Sequence, residues 1–168
     1  MAKCAKFISF VIFVITLNEC GFAIRGNDAI SYRFDLIQLN LQQPNSELSR
    51  FLRRSLDVAN VETQLGNSAE PNSNSAILEI GDEQIASRPV TFNPRARAAQ
   101  HEMRLSIQIS FEQGEQTLIR PETLYVERTY FEDLENIAGN QEEVEIIRSE
   151  MRRELVNQVM RRLQAASN

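Results

Sequence analysis

The side chains able to do chemistry are few. The chain has one histidine, His101, and two cysteines, Cys4 and Cys20. A general base needs a positioned partner for its proton, and the sequence supplies none for His101. Its alternation with Met103 places it at the end of an apolar strand face, a packing position. There is no CxxC and no Cys/His cluster, which excludes a structural zinc site. No glycine-rich phosphate loop or metal-ligand spacing is present, so no cofactor is called for. Glu142 and Glu143 are paired acids, but the start of a helix explains them. An enzyme, with His101 as its best candidate base, is the weakest of the readings. Three arginines, Arg88, Arg95 and Arg97, flank one loop between two extended segments. Their planar forks can grip phosphate bidentately, and the ordinary alternative is a solvated basic loop. The other chemical candidate is Cys20, directly after an apolar run.

That run sets the compartment. "MAKCAK" is a basic start carrying the only two lysines, Lys3 and Lys6. "FISFVIFVITL" (Phe7 to Leu17) follows without a charge. As a helix it would be about 16 Å long, short of the ~30 Å hydrocarbon core of a bilayer. This is the pattern of a secretory signal over residues 1–19. Two exits are open. Cleavage before Cys20 would leave a cysteine for lipidation: Leu17 stands three residues before it as a lipoprotein signal requires, whereas Asn18 and Glu19 replace the usual small residues. Cleavage after "GFA" would instead free a soluble chain starting at Ile24. Starting at Cys20, the mature chain has no cysteine pair and no internal disulfide.

The elements that must position these residues follow from periodicity. The whole chain has 168 residues and a formal net charge of −5, with 42% apolar residues. That suits a single domain over 20–168, and the acidity argues against nucleic acid as a partner. "YRFDLIQLNL" (Tyr32 to Leu41) reads as a strand with a parity shift, hence a bulge. Residues 46–59 read as a helix capped by Asn45 or Ser46, with Leu48, Phe51, Leu52 and Leu56 on one stripe. "VETQL" reads as a short strand and residues 66–75 as a loop. Residues 76–92 read as a strand broken near Gly81. "HEMRLSIQISFE" alternates strictly: Met103, Leu105, Ile107, Ile109 and Phe111 face one way, Arg104, Ser106, Gln108 and Ser110 the other. "QGEQ" is a hairpin turn into a return strand, where Pro121 demands an edge or a break. The last segment is a helix capped at Asn140, with Val144, Ile147, Met151, Leu155, Val159 and Leu163 on its apolar stripe. The expected fold is α+β, a two-layer sandwich. An antiparallel-rich sheet of about four strands carries two helices on one face and leaves the other face polar and open.

The order of these motifs resembles the LptE family, the small lipoprotein subunit of the outer-membrane lipopolysaccharide translocon. "CGFAIRG" looks like the family's mature start and "LSRFLRRSL" like its first helix. "AAQHEMRLSIQISF" resembles its central strand. "ERTYFEDLENIAGNQEEVEIIRSEMRRELVNQVMRRL" is similar to its last strand, loop and long helix. The resemblance implies an outer-membrane lipoprotein, anchored through acyl chains on Cys20 on the periplasmic side. It would plug the β-barrel LptD, help it assemble, and assist lipopolysaccharide insertion into the outer leaflet. Lipopolysaccharide phosphate would fall to Arg95 and Arg97 in the matching loop, with Arg88 beside them. "NIAGNQ" lacks the basic residue some relatives carry there. The alternative is a periplasmic module, lipidated or soluble, that binds an anionic ligand through the same arginines.

Overall fold

The computed structural model describes residues 28–66, 75–92, 98–131 and 137–167. The signal segment 1–19, Cys20, Arg95, Arg97 and most of the 66–75 loop lie outside the described residues. The elements in chain order are α1 (Asp28–Arg33), β1 (Leu36–Leu41), α2 (Glu47–Val58), β2 (Glu62–Leu65), β3 (Ala76–Ile80), β4 (Gln84–Phe92), β5 (Ala98–Gln113), β6 (Gln116–Phe131) and α3 (Ile137–Ser167).

Among the described residues the sheet has six strands and is mixed, not antiparallel-rich, and there are three helices rather than two. β1 lies between β2 and β3 and is parallel to both. The reason is connectivity. α2 separates β1 from β2, and a helical crossover returns the chain in the same direction, as a hairpin cannot. The remaining pairs, β3–β5, β4–β5 and β5–β6, are antiparallel. β6 pairs with β5 along most of its length, from Gln100↔Phe131 to Gln113↔Gln116. β3 and β4 therefore share the other edge of β5: β3 opposite Ile109–Gln113, β4 opposite Ala98–Ser106. They are two pieces of one line, interrupted at Gly81 as the sequence suggests. A Cβ at Gly81 would sit 3.3 Å from the Cβ of Gln108, so close approach of the two backbones favours glycine there.

The stretch expected as a strand from Tyr32 starts instead as helix. Tyr32 lies in the last turn of α1, and Ile30 and Phe34, four apart, point into the core. The Phe34 ring meets Phe111 edge-on, with centroids 5.0 Å apart. No bulge is needed. The parity shift is the change from helix to strand, after which Ile37 and Leu39 are buried and Leu41 half-buried.

α2 forms where expected. Ser46 caps it, accepting from the Ser49 amide at 3.1 Å. Leu48, Leu52 and Leu56 are buried. Asn60, in the left-handed region at φ 56°, ends the excursion, a conformation asparagine tolerates. Met103, Leu105, Ile107, Ile109 and Phe111 of β5 are all buried against the helical layer. Pro121 sits where the β5–β6 register shifts, between Ile109↔Glu122 and Phe111↔Ile119, on an edge strand. A bulge at an edge costs no ladder bond for the missing N–H. The turn after β5 holds Gly114 at φ 57°. α3 starts at Ile137, so Asn140 lies inside it and is not its cap. Met151, Leu155, Val159 and Leu163 are buried as the stripe predicts. Val156 and Met160 are buried too, because α3 is wedged between the sheet and α2.

Candidate functional site

The fold is elongated, and its two ends differ. β5 and β6 are each 16 residues long. At ~3.3 Å per residue such strands run about 53 Å. One end collects α1, the ends of α2 and α3, and the β5–β6 turn. Arg33 Nη1 donates to the Ala166 carbonyl at 2.8 Å, tying α1 to the last turn of α3. Glu122 and Arg162 pair at 2.9 Å nearby. The opposite end carries the β4–β5 connection, whose flanking residues Phe92 and Ala98 are paired, and the end of β6 at Phe131. Arg95 and Arg97 belong to that connection.

Arg88 is the described member of the arginine trio. It lies on β4 opposite Glu102 of β5, and its Nη2 is 2.7 Å from Glu102 Oε1. The Arg88 side chain is 72% exposed. An exposed pair of this kind contributes about 0–1 kcal/mol, so a ligand oxyanion can displace Glu102 at small cost. His101 is held by Pro89 and Tyr130 as strand neighbours, and its ring stacks on Tyr130 at 5.4 Å and 21°. That is a packing arrangement at the end of the apolar face. Among the described residues no group of three or more His, Cys, Asp or Glu could hold a metal ion.

The face of the sheet away from the helices is polar. Arg104 lies over the Tyr125 ring at 4.3 Å and pairs with Glu127 at 2.8 Å. Gln42, Asp82, Gln84, Ser106, Gln108 and Thr123 line a depression of about 410 Å³ at the break between β3 and β4. Ser110, expected to be open with this row, is buried instead. Its hydroxyl donates to Glu79 Oε2 at 3.1 Å, at the register shift on β5.

A cluster that sequence reasoning did not single out joins three elements. Arg152 of α3 meets both oxygens of Glu83 through Nε, at 3.1 and 2.9 Å, and donates from Nη2 to Oε1 at 2.7 Å. Its Nη1 donates to Glu47 Oε2 at 2.8 Å, and the Ser149 hydroxyl donates to Glu47 Oε1 at 2.9 Å. The Arg152 side chain is 15% exposed and that of Glu83 10%. The hydrogen bonds to Glu83, helped by both carboxylate charges and opposed by burial, hold the guanidinium above its usual pKa. The clamp pins α3 to the first turn of α2 and to the β3–β4 break. Spacing gives no sign of it, because its three anchors are more than 30 residues apart in every pairing.

The family model described as "LptE: Lipopolysaccharide-assembly" matches residues 34–163. Among curated proteins, the LPS-assembly lipoprotein LptE of Photorhabdus laumondii is 24% identical over 157 residues, covering 92% of this chain and 82% of that protein. Rare lipoprotein B from Shewanella oneidensis superposes with a TM-score of 0.69 at 16% identity, over 77% of this chain and 94% of that one. A minor lipoprotein from Acinetobacter baumannii gives 0.61 at 17% identity, over 79% and 92%. At these identities the two structures speak to the fold alone.

Proposed function

The chain belongs to the LptE family of lipopolysaccharide-assembly lipoproteins, and from that membership we propose that it is a non-enzymatic outer-membrane lipoprotein that plugs the LptD β-barrel. In this reading acyl chains on Cys20 hold it on the periplasmic side, it helps the barrel assemble, and it assists lipopolysaccharide insertion into the outer leaflet. The observation that carries the reading is the axial layout. Residue 20 precedes α1 in sequence, while Arg88 lies on β4 opposite Glu102, towards the other end of β5. The ~53 Å length of β5 and β6 exceeds the ~40–45 Å of a bilayer with its headgroups. A domain anchored at one leaflet and seated in a barrel would thus present the arginine end near the other. The polar sheet face suits the polar lumen of a large barrel. Arginine forks at the far end suit lipid phosphate.

Extraction in mild detergent tests this. A very large β-barrel should co-purify with the chain, and recovery of the chain alone overturns the plug reading. Mass spectrometry of the mature N-terminus tests the anchor: diacylglycerol on Cys20 supports it, and a free N-terminus at Ile24 removes it.

A further inference from the structure

The end of the domain nearest the lipid-bearing residue has its own apolar exposure. Tyr32 is 91% exposed, Val58 71% and Leu36 45%. Scattered exposed apolar residues are ordinary on a protein surface. These three share one end. Tyr32 lies in the last turn of α1 beside Arg33, which is tied to the end of α3. Val58 ends α2 and shares a groove with Met160, Arg161 and Gln164 of α3. Leu36 opens β1 opposite Glu62, just after the turn that follows Val58.

We propose that this end is a membrane-contacting tip, with Tyr32, Leu36 and Val58 entering the headgroup region of the bilayer that holds the acyl chains. The proposal rests on the reading that Cys20 is acylated. Cys20 and Asp28 are eight positions apart along the chain. Eight fully extended steps reach at most about 26–29 Å, so the tip is never far from the surface that anchors it. Tyrosine suits that depth, since its ring is apolar and its hydroxyl stays wet. Charge at the tip is mixed, with Arg33, Arg54, Arg120 and Arg161 against Asp35, Asp57, Glu62 and Glu115. Contact is therefore driven by apolar side chains and does not require anionic lipid. It supplements acylation, which holds durably only when more than one chain or a second signal is present.

The chain has no tryptophan, so Tyr32→Trp gives a unique reporter. The mature acylated protein is mixed with phosphatidylcholine vesicles whose acyl chains carry bromine. The expected result is a blue shift and quenching of Trp at position 32, weakened by Val58→Ser. Phe131→Trp, at the far end of β6, should show neither. If the chain floats with the vesicles while position 32 stays water-exposed, the tip is refuted and the anchor stands. A blue shift at position 32 before vesicles are added also refutes it, assigning Tyr32 to a contact within the chain. A chain that neither floats nor carries acyl mass overturns the anchoring reading, and this proposal with it.

Discussion

Arg152 shows how one side chain decides more than its neighbours in sequence suggest. It stands between two carboxylates, Glu47 at the start of α2 and Glu83 at the β3–β4 break, and pairs with both. Arg152→Met leaves Glu83 enclosed without its cation. Breaking a buried pair costs about 3–5 kcal/mol, and the partial exposure of Glu47 places this loss at the lower end. Urea denaturation reads it, and adding Glu83→Gln should recover part of the loss, because the stranded charge goes too. The sign of the pH dependence follows from the raised pKa. A group raised on folding stabilises below its unfolded pKa and ceases to stabilise as pH rises through the folded one. Both values lie far above neutrality, so this guanidinium introduces no titration between neutral and moderately alkaline pH. Stability curves of the wild type and Arg152→Met should therefore stay parallel from neutrality to about pH 10. Arg88 sits at the other extreme. Its exposed pair with Glu102 contributes little, so Arg88→Ala with Arg95→Ala and Arg97→Ala should lower affinity for lipopolysaccharide while leaving the melting temperature nearly unchanged. Unchanged affinity in titration calorimetry excludes the trio as the phosphate site.

At the scale of elements, caps and bulges explain where the chain turns. Ser46 accepts from the Ser49 amide at the start of α2, and its hydroxyl donates to that of Ser49 at 3.0 Å. Ser46→Ala should cost about 1 kcal/mol, read as a shift of the denaturation midpoint. Leu52→Ala empties a fully buried site under the same helix and should cost about 2–5 kcal/mol. A cap loss larger than the core loss would contradict this ranking. The local signals here were legible because each lies within one window of sequence: the stripe on α2, the alternation on β5, the Gly114 turn and the break at Gly81. α1 was not legible. Tyr32, Phe34 and Leu36 alternate like a strand, but only Phe34 faces the core, and its partner is Phe111 on a distant strand.

At the scale of the molecule, the length of the β5–β6 ribbon separates the end built by α1 from the end towards which Arg88 lies. Photo-cross-linkers at positions 58 and 131 should report that polarity in cells, with lipid captured at 58 and the barrel at 131. Lipid captured at 131 and barrel alone at 58 would reverse the axis.

The sequence by itself determined the α+β class, the two amphipathic helices, the central alternating strand and the motif order that marks the family. These are encoded in spacing along the chain, where apolar periodicity alone reports which face is buried. Only the tertiary structure decided the parallel placement of β1 between β2 and β3, the sharing of one edge of β5 by β3 and β4, the burial of Ser110 and the meeting of Arg152 with Glu47 and Glu83. Those depend on which strand fills which free edge and which helices share a seam. That choice is made by packing between segments far apart in sequence, and no local period records it.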